Sequence, residues 1–321
     1  MIWENLTTIN HFTLLGLTNN SHLRSILFVL FLSMYWVTLI GNFLIIFIVY
    51  RYQELHTPMY LLLSHFSVSE ICYTTNISPN MLVLVLLDHK TIGFIDCMIQ
   101  LYLFLSLASV ETFLLTTMSY DRYLAICKPL HYHLVMSNTV CRRMALVCWV
   151  FGFLIPICPI FFIHKLHFCG SSRLNHFFCD SSPLLSLSCT NTNQIQFLQY
   201  FISSFVLLIS FLIIAISYVC IIFSILTINS PSGRRKAFST CASHLTVLGL
   251  FFIPGILIYV SPLAHVSVAL NKWLSLFYTE LTPLLNPFVY SLRNREIKEA
   301  LKKSIQACIH ISLEKSNRRR I

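Results

Sequence analysis

Long uncharged runs alternate with short polar stretches along this chain. Residues 25–50, between Arg24 and Arg51, carry no charge, and neither do 196–228 and 237–260. The segment 142–163 is clean from Met144 onward. Three further runs are apolar around one acid each: 58–86 around Glu70, 97–121 around Glu111 (with Asp121 at its end), and 272–292 around Glu280. About 20 apolar residues suffice to cross a bilayer core as a helix. None of the runs shows the alternation of a barrel stave. The pattern predicts an all-α membrane protein, a bundle of seven transmembrane helices.

Composition agrees. The 321 residues are 56% hydrophobic and 11% charged, with mean hydropathy +0.73, against roughly 25% charged in soluble domains. Eight Gly and 11 Pro exclude collagen-like and low-complexity chains. The net charge of +10 does not point to nucleic acid, because its carriers collect on one side. With the N-terminus outside, the cytoplasmic set is Arg51, Arg122, Lys128, Arg142, Arg143, Arg234, Arg235, Lys236 and nine residues after Leu292, 17 in all. The outside set is Arg24, Lys90, Lys165, Arg173 and Lys272. The positive-inside rule therefore predicts the N-terminus outside and the C-terminus in the cytoplasm.

Three regions follow: an extracellular tail over 1–24, the membrane domain over 25–293, and a cytoplasmic segment over 294–321. The first apolar run is too long for a signal peptide and lacks a cleavage site, so it is expected to stay as helix one. Asn5-Leu6-Thr7 is a glycosylation sequon in the tail. Asn19-Asn20-Ser21 lies close to the membrane, and Asn76-Ile77-Ser78 falls inside helix two and is discounted. In the last region Ile297, Leu301 and Ile305 recur at helical spacing among Arg295, Lys298, Lys302 and Lys303. That spacing predicts a short amphipathic eighth helix on the anionic inner leaflet. Lys315–Arg320 reads as a solvated basic tail.

Of 12 cysteines, Cys72, Cys148, Cys158 and Cys220 lie in spans, and Cys127, Cys141, Cys241 and Cys308 at or beyond the cytoplasmic boundary. Cys97, Cys169, Cys179 and Cys189 remain outside, where disulfides are favoured over a metal site. Spacing alone leaves all three pairings open.

Five motifs then bring a family into view. Leu55-His56-Thr57-Pro58-Met59-Tyr60 opens helix two, and Met118-Ser119-Tyr120-Asp121-Arg122-Tyr123-Leu124-Ala125-Ile126-Cys127 closes helix three. Ser217-Tyr218 lies in helix five, and Lys236-Ala237-Phe238-Ser239-Thr240-Cys241-Ala242-Ser243-His244-Leu245 opens helix six. Pro283-Leu284-Leu285-Asn286-Pro287-Phe288-Val289-Tyr290-Ser291-Leu292-Arg293-Asn294 ends helix seven. Together, from about Phe12 to Ile305, the chain resembles the olfactory receptors of the rhodopsin-like G-protein-coupled superfamily. The resemblance implies disulfides Cys97–Cys179 and Cys169–Cys189. It also implies a volatile odorant as ligand, a stimulatory heterotrimeric G protein as partner, cAMP as output and the plasma membrane of olfactory cilia as location. His176-Phe177-Phe178-Cys179-Asp180 resembles the subgroup associated with volatile, largely neutral odorants.

Inside the spans, Glu70, Glu111, Asn42 and Asn286 fall at one depth by a rise of about 1.5 Å per residue. Two readings stand: a hydrated cation such as sodium, which related receptors hold here, or a proton shared between carboxyls. No other cofactor is expected. Glu280 either lines a cavity or snorkels to the lipid interface. At the cytoplasmic mouth Asp121 can hold Arg122. By resemblance, Arg122 is released toward Tyr218 and Tyr290 as helix six moves outward. Tyr123, Lys236, His244, Asn286 and Pro287 complete that switch set, with Pro287 and Pro254 expected to bend their helices.

Leu101, Phe104, Leu105, Ala108 and Thr112 share one face of helix three. The resemblance places the ligand cavity there, in the outer half of the bundle, and adds Ser109, Ile202, Ser203, Val206, Phe252, Gly255, Ile256, Tyr259 and Thr279. The set suits a small, mostly neutral molecule. Phe104 stands where amine receptors carry Asp, which argues against biogenic amines, and Phe252 replaces a common Tyr. Helix seven has no interior Lys for a retinal Schiff base. No His-Glu-x-x-His or Gly-x-Ser-x-Gly supports an enzyme. No similar halves support a transporter or channel. The other receptor reading is a non-odorant metabolite sensed in another tissue.

Overall fold

The computed structural model describes residues 10–18, 20–169, 172–227, 229–260, 268–293 and 296–306. Asn5, Asn19, Cys308 and the basic tail lie outside the described residues. The chain is mostly helical. Helix α1 covers Ser21–Arg51, α2 Pro58–Leu87, α3 Phe94–Cys127 and α4 Pro129–Val135. Helices α5 (Asn138–Leu154), α6 (Ile157–His164), α7 (Ser181–Leu185), α8 (Asn193–Leu226) and α9 (Pro231–Tyr259) follow. Helix α10 (Val268–Leu276) passes through a π-turn at Phe277–Leu281 into α11 (Thr282–Arg293). Residues 296–306 are again helical.

The helix starts obey local chemistry. The Asn20 side chain accepts from the His22 and Leu23 N–H groups at 3.0 and 3.3 Å. Ser137 accepts from Val140 and Ser230 from Gly233, each at 3.3 Å. Each cap satisfies N–H groups that the first turn leaves unpaired. Pro58 and Pro231 sit in first turns, where a missing N–H costs nothing.

Among the described residues, Ser21–Arg51, Phe94–Cys127, Asn138–His164 and Asn193–Leu226 are long and apolar enough to cross a membrane. Helix α2 is as long but turns Ser67, Ser69, Glu70, Tyr73, Thr74 and Ser78 inward, all buried. The 142–163 run lies within the span Asn138–His164 and is interrupted by a turn at Ile155–Pro156. Pro156 has no N–H for the carbonyl four residues back, and the chain breaks there between α5 and α6. Helices α9 and α11 run on through Pro254 and Pro287. Between α10 and α11 the departure from α geometry lies instead at the π-turn.

Helix α3 is central, packed against α2, α5 and α8. Glycine permits the tightest approach: a Cβ on Gly152 would lie 2.3 Å from Val110 Cγ2 and 2.9 Å from its backbone nitrogen. Where α1 meets α11, a Cβ on Gly41 would lie 2.9 Å from Pro287 Cβ.

One end of the bundle carries a sheet that the reading of residues 1–24 as an extracellular tail did not anticipate. Strand β1 (His11–Leu15) pairs antiparallel with β2 (His89–Gly93) and parallel with β3 (Arg173–Leu174). Phe12 and Leu14 point inward and are fully buried, with Phe12 edge-on to Phe168 at 5.3 Å. Lys272 Nζ donates to the Leu15 and Gly16 carbonyls at 3.2 and 2.8 Å and to Asn175 Oδ1 at 3.3 Å. Strand, loop and helix α10 are thereby tied to one ammonium group. Disulfides join Cys97 to Cys179 and Cys169 to Cys189, the pairing that the resemblance implies.

Candidate functional site

Below the sheet, α3, α8 and α9 enclose a cavity of about 70 Å³. Helix α3 contributes Phe104, Leu105, Ala108, Ser109 and Thr112, which recur at helical spacing. Ile202, Ser203 and Val206 come from α8, and Gly255 and Tyr259 from α9. The other four expected residues are not on the wall. Leu101 is buried one turn away on α3, Phe252 packs against Phe211 and Phe251, Ile256 joins the surrounding core, and Thr279 is buried in the π-turn. A helix face is wider than the strip that one cavity touches.

The wall also holds Ile155, Pro156, Pro159, Gln199, Leu207 and Tyr278. Gln199 had a readable signal, since it lies four residues before Ser203 and seven before Val206, on one face of α8. Ile155, Pro156 and Pro159 also follow helical spacing from buried Gly152, but the spacing alone does not say that this face meets a cavity. Tyr278 meets Tyr73 edge-on at 6.1 Å, and Tyr73 lies 5.6 Å from Phe104. Phe104 and Tyr278 floor the cavity, with Tyr73 packed behind them.

Ser109 Oγ donates to the Leu105 carbonyl and Thr112 Oγ1 to the Ala108 carbonyl, both at 2.8 Å. Their protons are therefore engaged within the helix. A second cavity, of about 340 Å³, adjoins the first through the shared residues Gln199, Ser203 and Tyr259. Its wall includes Asp180, Ser181 and Tyr200. Burial pushes the Asp180 carboxyl up to about 6, against the hydrogen bonds from Ser181. Burial, helped by the Lys272 charge, pushes neighbouring His176 down to about 3. His176 stacks on Phe177 at 4.8 Å. A third, apolar groove of about 600 Å³ opens on the outside of the bundle and shares Ile155, Ile202 and Val206 with the cavity wall.

At mid-bundle, Asn286 Nδ2 donates to Glu70 Oε1, and Ser69 Oγ donates to Glu111 Oε1 at 3.2 Å. Asn42 does not join them: its Nδ2 donates to the Thr38 carbonyl of its own helix at 3.0 Å. Glu70 Oε2, Asn286 Oδ1 and Ser67 Oγ are buried without a hydrogen-bond partner. That oxygen-rich set fits a hard cation or a shared proton. No group of three or more His, Cys, Asp or Glu suited to a metal occurs among the described residues. Glu280 fits neither expectation. It is buried on the π-turn, off the cavity wall, accepting from Ser78 Oγ at 2.9 Å.

At the far end Arg122 donates to Asp121 Oδ2 at 2.8 and 3.1 Å. Tyr132 of α4 donates to Asp121 Oδ1 at 2.8 Å, a partner outside the five motifs. Tyr218 and His244 Nδ1 share a hydrogen bond of 2.5 Å across α8 and α9. Tyr290 packs edge-on to Phe66 at 6.2 Å, and Tyr123 stacks on Tyr120. The Lys236 side chain lies outside the described residues. Residues 296–306 dock through Tyr60 to Glu296 at 2.6 Å, Tyr52 to Ser304 at 2.9 Å and Lys303 to Glu54 at 3.2 Å.

The sequence model of the olfactory receptor family matches residues 31–307. The chain belongs to the olfactory receptor family. Mouse olfactory receptor 5G26 is 44% identical over 306 residues, covering 95% of this chain and 96% of its own. Human olfactory receptor 11L1 is 45% identical over 300 residues, 94% of this chain and 93% of its own. Human olfactory receptor 6Y1 is 43% identical over 302 residues, with 94% and 93% covered. The protein is accordingly an odorant-sensing G-protein-coupled receptor and multi-pass membrane protein, not an enzyme. Its two ends divide in keeping with that: an apolar cavity beneath the sheet, and a linked set of ionic and hydroxyl contacts around Arg122.

Proposed function

We propose that this receptor spans the plasma membrane of olfactory cilia seven times, N-terminus outside, and binds a small, mostly neutral odorant in the cavity of α3, α8 and α9. Binding favours a state with an open cytoplasmic face, which drives nucleotide exchange on a stimulatory G protein and raises cAMP. The observation that carries this reading is the closed cytoplasmic cluster: Asp121 engages both Arg122 and Tyr132 while Tyr218 ties α8 to His244 on α9. Outward movement of α9 breaks the Tyr218–His244 contact, leaving Arg122, Tyr218 and Tyr290 free to line a docking groove with Lys236 and Tyr123 beside it. The Asn286–Glu70 contact and the close seat of Pro287 on Gly41 fix helix seven in the resting state.

The inner cavity is smaller than the ~150 Å³ that holds benzene in an engineered protein. An odorant therefore occupies part of the adjoining 340 Å³ cavity or displaces ring side chains of the floor. Glu70, Glu111, Ser69 and Asn286 hold either a sodium ion or a shared proton between the two ends. Asn5 carries a glycan, and 296–306, whose Ile297 and Ala300 are buried against the bundle, meets the inner leaflet through exposed Ile305.

The test is a cAMP reporter in cells displaying the receptor, run against an odorant panel. Arg122→Ala is expected to abolish the response with surface display preserved. Retained signalling in that variant refutes the switch, and an odorant-evoked current without any G protein would favour a channel.

A further inference from the structure

Two acceptor atoms on residues of the upper cavity's wall are buried without a partner. Asp180 uses Oδ1 to cap α7, accepting from the Ser181 N–H at 2.7 Å and Oγ at 3.3 Å. Its other oxygen, Oδ2, is buried with no partner. Gln199 uses Nε2 to donate to Ser181 Oγ, and its Oε1 is likewise buried with no partner. Both residues line the 340 Å³ cavity. The Gln199–Ser181–Asp180 chain therefore engages Gln199 Nε2 and the Ser181 hydroxyl and leaves two acceptors, Asp180 Oδ2 and Gln199 Oε1, unfilled. Deeper in, Ser109 and Thr112 also have their protons engaged. Ser203 and Tyr259, which the two cavities share, and Tyr278 below carry no such fixed donation, and each can donate or accept.

An unfilled buried acceptor costs more than a normal hydrogen bond returns. A ligand that supplies a donor recovers that loss, whereas one that brings only a further acceptor leaves it standing. On the odorant reading above, we propose that the preferred ligand is an alcohol, whose hydroxyl donates to Asp180 Oδ2 and Gln199 Oε1 while its apolar skeleton fills the cavity between α3, α8 and α9. A carboxylate oxygen is the stronger kind of acceptor. An aliphatic or terpenoid skeleton meets Phe104, Leu105 and Val206 below.

The experiment compares alcohols with the methyl ethers and ketones of the same carbon skeletons, in cells displaying the receptor, by cAMP dose–response. The alcohol is expected to be about tenfold or more the most potent of each set, as a hydrogen bond to a charged group implies. Asp180→Asn keeps an oxygen for the α7 cap but turns an N–H donor toward the ligand. It should shrink or reverse the alcohol-to-ketone ratio. Gln199→Leu should shrink it without reversal. A merely structural role would weaken all three ligand classes together, so the ratio is the deciding readout. Equal potency of alcohol, ether and ketone in the unaltered receptor, or an unchanged ratio in both variants, overturns the proposal and leaves the odorant reading intact. Silence of every class in a displayed receptor overturns the odorant reading itself, and the proposal with it.

Discussion

Substituting Gly152 by alanine tests how the cavity's central helix is held. The added Cβ would sit 2.3 Å from Val110 Cγ2, 2.9 Å from its nitrogen and 3.1 Å from its Cα. Rotating Val110 offers little relief, because a valine in a helix has one strongly preferred rotamer and this one is fully buried. Even without the methyl groups, two backbone atoms remain closer than the ~3.5 Å of ordinary carbon contact. Helices α3 and α5 must then separate by roughly half an ångström or more, carrying Ala108, Ser109 and Thr112 on the cavity wall with them. Overpacking of this kind costs about 1–3 kcal/mol. Thermal unfolding of the purified receptor, with surface display in cells, measures it. Gly249→Ala is the control, since its nearest neighbour would be Ile253 Cδ1 at 3.8 Å. Adding Val110→Ala to Gly152→Ala should recover only part of the loss. Equal stability of the two glycine variants would refute the reasoning, and complete recovery would show that the backbone approach is not limiting.

Three further predictions concern charge and the switch. His176, pushed down to about 3 from 6.5, loses stabilising weight as pH falls below about 6.5, while Asp180, raised from 3.8 to about 6, contributes the opposite slope below about 6. Between pH 6 and 4 the two nearly cancel. Thermal stability should fall by about 1.4 kcal/mol per pH unit in Asp180→Asn and rise by a similar amount in His176→Phe on acidification, and parallel curves for all three proteins would contradict it. Tyr218→Phe removes the buried contact to His244, whose loss is worth about 1–3 kcal/mol. Basal cAMP should rise several-fold, and an unchanged basal level would remove that contact from the resting state. Sodium should raise the melting temperature of the receptor but not of Glu70→Gln; if neither protein responds, the proton-sharing arrangement is favoured.

Much of the helical framework was legible because a bilayer demands length and apolarity, and both are written in one dimension. The Asp121–Arg122 pair was legible for a similar reason, being sequence neighbours. The sheet was not, because β1 has only five residues and takes its partners from segments about 75 and 160 positions away by the non-local logic of strand pairing. Ile155 and Pro159 share a helix face with buried Gly152, a spacing readable in the sequence, but nothing in that spacing says that the face reaches a cavity. On α3, periodicity picked out the face that lines the cavity but could not say where along it the cavity stops, and Leu101 lies buried off the wall. Glu280 shows the limit of depth arguments. A rise per residue gives its height, whereas the π-turn sets its direction, toward Ser78 on α2.

Odorant dose–response of cAMP in the unaltered receptor and in Arg122→Ala, matched for surface display, tests the coupling of the two ends most directly. A saturable rise in the unaltered receptor that vanishes in the variant is the predicted result. A response of equal size in both, or none to any odorant in a well-displayed receptor, would contradict it.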